Sequence, residues 1–217
     1  MPDMASVSDD DDRPEVGRRR LPASERRILI LDAALRTFAA NGYDGAAMDE
    51  IAAAAGISKA VVYDHVSSKR ELYTQLLDAI AADLERTIER SLEPDGLTGE
   101  ARVRAAVTAV FRYVQENEEA CRLLLFELQG ATVSQVGRQL EERITDEIAQ
   151  TLGNAALFGG HPERERQLRI LAEMLKAGIL GLVAWWYRHP DVPRADLVER
   201  SAAVIWPAIE QARAGAR

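Results

Sequence analysis

Residues 48–72 read "MDEIAAAAGISKAVVYDHVSSKREL", and the fold turns on how this stretch divides. The alanine-rich segment from Met48 is helix-forming material of about two turns, and Gly56 stops it. Ser58 is a good N-cap, so "KAVVYDH" forms a third short helix of the chain. Ser67 and Ser68 break that helix. Ser68-x-x-Glu71 then matches a capping box, in which serine and glutamate satisfy each other's orphan N–H groups, so a long helix runs from about Lys69 to Leu92. Two short helices joined by a glycine-led turn make a helix-turn-helix.

On its own this pattern is a weak signal, because any helical hairpin with a glycine turn imitates it. The composition of the second of the two helices strengthens it. Val62 and Val66 lie one turn apart and can pack inward, which leaves Lys59, Ala60, Tyr63 and Asp64 facing outward. A tyrosine and a lysine on the outer face of so short a helix gain little for a core. Against phosphate they gain more: the Tyr63 hydroxyl and the His65 ring N–H can donate to phosphate oxygens, and Lys59 and Lys69 add charge.

Working outward, Ser24 can cap a first helix in which Ile28, Leu31, Ala34, Leu35 and Phe38 recur at helical spacing until Asn41-Gly42 ends the run. Residues 1–22 hold three prolines and Asp9 to Asp12 in a row, without apolar periodicity, and read as a disordered tail with Arg18, Arg19 and Arg20 at its inner end. "EPDGLTG" after Leu92 is a linker. Beyond it, helices are expected over about 100–116, 118–129, 132–155, 163–188 and 194–213. The chain is therefore read as all-α, with about nine helices.

Over 217 residues the net charge is −8, which taken globally argues against a nucleic-acid partner. The distribution argues otherwise. Residues 1–17 carry one arginine against six acids, residues 18–75 nine basic residues against seven acids, and residues 76–217 seventeen against twenty-two. The part around the opening motif is the only positive one.

Other chemistries find little support. His65, His161 and His189 are far apart, with no second histidine or cysteine at i+3 or i+4, so no metal site and no cofactor is expected. A glycine-rich phosphate loop and a GxSxG motif are absent, and the reading is of a non-enzyme. Cys121 has no cysteine partner and reads as a small buried side chain in a reducing, cytoplasmic compartment. No apolar run reaches the ~20 residues that span a bilayer, so no membrane partner is expected.

Residues 26–73, "RRILILDAALRTFAANGYDGAAMDEIAAAAGISKAVVYDHVSSKRELY", resemble the N-terminal domain of the TetR family of transcriptional regulators. The resemblance joins, in order, a first helix ending in "NGY", then "IAAAAGIS", then "VYDHVSSKREL". It implies a homodimer whose two helix-turn-helix modules enter successive major grooves of a near-palindromic double-stranded DNA operator, and a repressor released by a small-molecule effector. It divides the chain into the tail over 1–22, a DNA-binding domain over 23–70 and an effector-binding and dimerisation domain over 71–217. It also implies that Ser58, Lys59, Ala60, Val61, Tyr63, Asp64, His65 and Lys69 stand at DNA-touching positions. Tyr63, His65 and Lys69 would hold the backbone, while Lys59, Val61 and Asp64 are better placed to read base edges.

The chain departs from the family pattern at Ala46-Ala47, where a capping threonine is frequent, so that Ala47-x-x-Glu50 is half a capping box. By cap energetics that costs roughly 1 kcal/mol. In the second domain, Phe111, Phe126, Met174 and Trp185 are candidates to line an apolar effector pocket, which would select a hydrophobic or amphipathic ligand. Gly178 and Gly181 form a small-residue strip that, with Ala202, Ile205 and Ile209 of the last helix, is a candidate two-fold interface.

Overall fold

The computed structural model describes residues 22–94, 96–97, 99–129, 135–153 and 162–214. The tail reading over residues 1–22 falls outside these apart from Pro22, as does His161. The described residues form nine helices in chain order: α1 (Ala23–Gly45), α2 (Met48–Ala54), α3 (Lys59–Tyr63), α4 (Lys69–Leu92), α5 (Gly99–Glu116), α6 (Glu118–Gln129), α7 (Gln135–Leu152), α8 (Pro162–Trp186) and α9 (Arg194–Ala214).

In α1, Ile30, Ala33, Ala34, Thr37 and Phe38 are buried, at the three- and four-residue spacing of one helical face. The start differs from expectation: Pro22 occupies the cap position and Ser24 lies inside the first turn. The end is a break. Gly42 adopts φ 69° and ψ 174°, and Tyr43 to Gly45 continue in a new direction before the chain enters α2. A β-carbon there would meet nothing within 4 Å, so it is the left-handed φ, not crowding, that favours glycine.

The core around α1 to α3 is not confined to them. Ile51 of α2, Val62 and Val66 at α3, and Leu72, Tyr73, Leu76 and Leu77 of α4 share one buried cluster with Leu123, Leu124 and Leu128 of α6 and Leu140 of α7. Helix α4 is the shared wall, since its far end packs along α5. A second cluster joins Phe111 and Val114 of α5, Cys121 and Leu125 of α6, Val183 of α8 and Leu197 and Val198 of α9. Burial pushes the Cys121 thiol up to about 12, so it packs as a small apolar side chain. Helix α9 lies along α5, and α7 along α8. Among the described residues no helix is long and apolar enough to cross a membrane.

Candidate nucleic-acid interface

The turn before α3 is built by backbone geometry. Gly56 has φ 68°, its N–H donates to the Ala53 carbonyl, and the Ile57 N–H donates to the Ala52 carbonyl at 3.1 Å. This paired closure of the last turn of α2 sends the chain off at a fixed angle. The Ser58 hydroxyl accepts the Val61 N–H at 3.4 Å and starts α3, which is two residues shorter than its sequence pattern and ends at Tyr63. At the start of α2, Ala47 has no side-chain oxygen to offer. The Glu50 carboxylate accepts the Ala47 N–H and the Asn41 amide, each at 3.3 Å, which leaves half a box.

Val62 is 0% exposed and Val66 3%, and these two anchors fix which face of α3 is outermost. Ser58, Lys59, Ala60, Tyr63 and Asp64 are exposed, whereas Val61, His65 and Lys69 are half-buried. The capping box at α4 is shifted by one residue on one side. The Ser68 hydroxyl accepts the Glu71 N–H at 3.1 Å, but the Glu71 carboxylate accepts the N–H of Ser67 at 2.7 Å, and its pKa is lowered by the Ser67 hydroxyl first and that N–H second.

Both lysines of this face already have partners. The Lys69 ammonium donates to the Asp44 carbonyl at 3.1 Å and sits 4.9 Å above the Tyr43 ring. The Tyr43 ring packs on Tyr73 at 4.9 Å and on Phe38 at 6.1 Å, so Lys69 ties the start of α4 to the segment after Gly42. The Lys59 ammonium donates to Asp49 Oδ2 at 2.9 Å across the turn, and that hydrogen bond raises its pKa. Sequence reasoning missed Tyr43, Asp44 and Asp49. The first two sit in the "NGY" junction, and the third is one of two acids in the first turn of α2.

This is the geometry of a helix-turn-helix protein: a short helix seated on two valines, led by a capped turn, with lysine, tyrosine and aspartate on its open side. Residues 30–76 match the model of a family described as bacterial regulatory proteins, tetR family. The chain is 32% identical over 215 residues to the HTH-type transcriptional activator FasR of Mycolicibacterium smegmatis, covering 95% of each chain. It is 26% identical over 160 residues to the HTH-type transcriptional repressor DhaR of a Mycobacterium species, covering 72% of this chain and 80% of that one. In fold it is similar to a TetR-family regulator from Streptomyces coelicolor, with TM-score 0.69 and 24% identity over 90% of this chain and 84% of that chain. The chain belongs to the TetR family of helix-turn-helix transcriptional regulators.

The remaining candidates are placed less as expected. Phe111 is fully buried, edge-on to Trp186 at 5.7 Å, and Trp185 stacks on the His189 ring at 4.2 Å. Phe126 and Met174 are 69% and 65% exposed, so the four do not converge on one apolar cavity. Helical phase explains this: at about 100° per residue, Phe126 lies opposite buried Leu124 and Leu128, and Met174 opposite buried Ala172 and Lys176. A pocket of about 480 Å³ opens instead between α4 and α5, lined by polar groups including Asp83, Thr87, Arg90, Arg112, Glu116 and Asn117.

The last helix is rotated relative to expectation. Ala202 and Ile209 are 0% and 3% exposed, and Ile205 is half-buried, because this stripe of α9 packs inward. The uncovered face of α9 is the neighbouring one, with Ala203, Val204 and Pro207, and Val204 is 72% exposed. On α8, Gly178 and Gly181 are exposed with open space beyond them, beside Ile170, Met174 and Ala177.

Proposed function

We propose that this regulator binds a near-palindromic operator as a homodimer through α3 and the start of α4, represses transcription there, and is released by a small-molecule effector. The observation that carries the reading is the seating of α3. With Val62 and Val66 inside, Lys59, Ala60, Tyr63 and Asp64 are the groups a major groove would meet. In this reading Lys59 and Asp64 read base edges, Val61 adds a methyl contact, and Tyr63, His65 and Lys69 hold phosphates, with Lys69 exchanging the Asp44 carbonyl for a phosphate oxygen. Repression needs only that the promoter be occupied. Activation is the second reading, favoured by the name of the 32%-identical relative.

Two uncovered apolar faces, one on α8 and one on α9, support the homodimer, since a two-fold axis lets each cover its own copy. Met174→Glu is expected to convert a dimer into a monomer by sedimentation. For the effector, the polar lining between α4 and α5 supports a ligand with charged or hydrogen-bonding groups, against the hydrophobic or amphipathic one expected from sequence. In this reading the protein carries out no catalytic step, and a DNA partner supports a cytoplasmic location.

Footprinting and transcription from the chain's own upstream region test the reading. Protection at low ionic strength with lowered transcript is expected, and raised transcript would assign activation instead. No protection at any salt would leave an effector-binding protein that has lost specific DNA recognition. Lys69→Ala is expected to weaken binding at all sequences alike and to lower the salt slope by about one. Lys59→Ala should relax preference at one base position.

A further inference from the structure

We infer that Asp49 is a positioning residue: it holds Lys59 across the turn in the free protein and thereby lowers affinity for operator and arbitrary DNA alike. The inference rests on the DNA-binding reading above. Its own observation is the ion pair between the first turn of α2 and the first residue of α3, Nζ to Oδ2 at 2.9 Å. The side chains of Lys59 and Asp49 are 51% and 70% exposed, so the pair stands in water and opens readily.

The neighbouring acid has other work. Glu50 accepts the Ala47 N–H and the Asn41 amide, whereas the contact of Asp49 is with Lys59. A carboxylate this close to a cation has two effects on an approaching duplex. Lys59 must let go of Asp49 before it can take a phosphate or a guanine edge, and the freed carboxylate repels the phosphates beside it. That cost falls on every sequence. It lowers affinity at an operator, where Lys59 can take guanine O6 and N7, and on arbitrary DNA, where Lys59 takes a phosphate.

The experiment uses the full chain as wild type, Asp49→Asn, Lys59→Ala and the double variant. Asparagine keeps the volume and one acceptor oxygen and removes the charge. Each protein is titrated, over a range of salt, with a duplex selected from a random pool by the wild type and with a random-sequence duplex of equal length. Asp49→Asn is expected to bind the random duplex about two- to fivefold more tightly. Its salt dependence should steepen by about one, and its affinity for the selected duplex should rise by a similar factor. In the Lys59→Ala background the same substitution should lose most of its effect. Equal effects in both backgrounds would mean that Asp49 acts only through net charge and would overturn the inference. So would unchanged random-duplex affinity and salt slope. Wild type that binds neither duplex would overturn the regulator reading and this inference together, whereas wild type that binds beside an indifferent Asp49→Asn overturns this inference alone.

Discussion

Helices α1 to α3 and the pair α7–α8 solve burial in opposite ways. Among the described residues of α1 to α3 the one buried polar side chain is Thr37, whose hydroxyl donates to the Ala33 carbonyl at 2.8 Å. Between α7 and α8 the interior is charged. Lys176, with its side chain 4% exposed, donates to Thr145 Oγ1 at 2.7 Å and pairs with Glu173 at 2.8 Å and Glu141 at 3.2 Å. Thr145, fully buried, in turn donates to Glu173 at 2.7 Å. The outside of α8 is inverted as well, carrying Ile170, Met174, Ala177, Gly178 and Gly181 where a free-standing helix would carry charge. The first region keeps a dry core and presents polarity. The second buries an ammonium group and presents, on α8, an apolar stripe suited to being covered.

The largest effect should come from the dry core. Phe38→Ala empties a site 1% exposed beneath Tyr43 and Tyr73, and should cost about 4 kcal/mol in urea denaturation. Next comes the charged interior. Glu141→Gln with Glu173→Gln leaves the Lys176 ammonium buried without countercharge and should cost about 3 kcal/mol, whereas Lys176→Met leaves two carboxylates that water still reaches and should cost less than about 1 kcal/mol. If both variants lost equally, the cluster would be ordinary packing and the contrast with α1 to α3 would fail.

The smallest effect is with pH. The hydrogen bond from Lys176, then that from Thr145, holds the Glu173 carboxyl below its ordinary range. A depressed carboxyl stabilises the fold above the unfolded-chain value of about 4.3, and that contribution is lost as pH falls through the folded value. The side chain is half exposed, so the loss should stay below about 1 kcal/mol. Thermal melts below pH 5 should show wild type converging on Glu173→Gln.

Much of the fold and the outline of the helix-turn-helix could be read beforehand because local chemistry encodes them. Ser68 places the start of α4 at Lys69, Gly56 places the turn, and Val62 with Val66 fixes the inner face of α3. What escaped depends on relations between helices. Asp49 and Lys59 are ten residues apart on different helices, and periodicity says nothing about the angle that brings them to 2.9 Å. Helix α9 carries two adjacent apolar stripes, one with Ala202, Ile205 and Ile209 and one with Ala203, Val204 and Pro207. Spacing alone cannot say which of them faces α5. Phe126 and Met174 drew attention as large apolar side chains, but size does not report phase, and each lies on the far side of its helix from the buried stripe.

Gly42 carries a consequence for how this family member could drift. The space around its α-carbon is open and no core contact depends on a side chain there, so by volume the position would tolerate almost any residue. Yet its one left-handed torsion aims the short segment that ends in the Asp44 carbonyl, the acceptor that keeps Lys69 over Tyr43. A replacement that relaxed this torsion would leave charge, composition and the buried residues as they are. It would alter only a direction, and a survey of sequence changes ranked by size or polarity would pass over it.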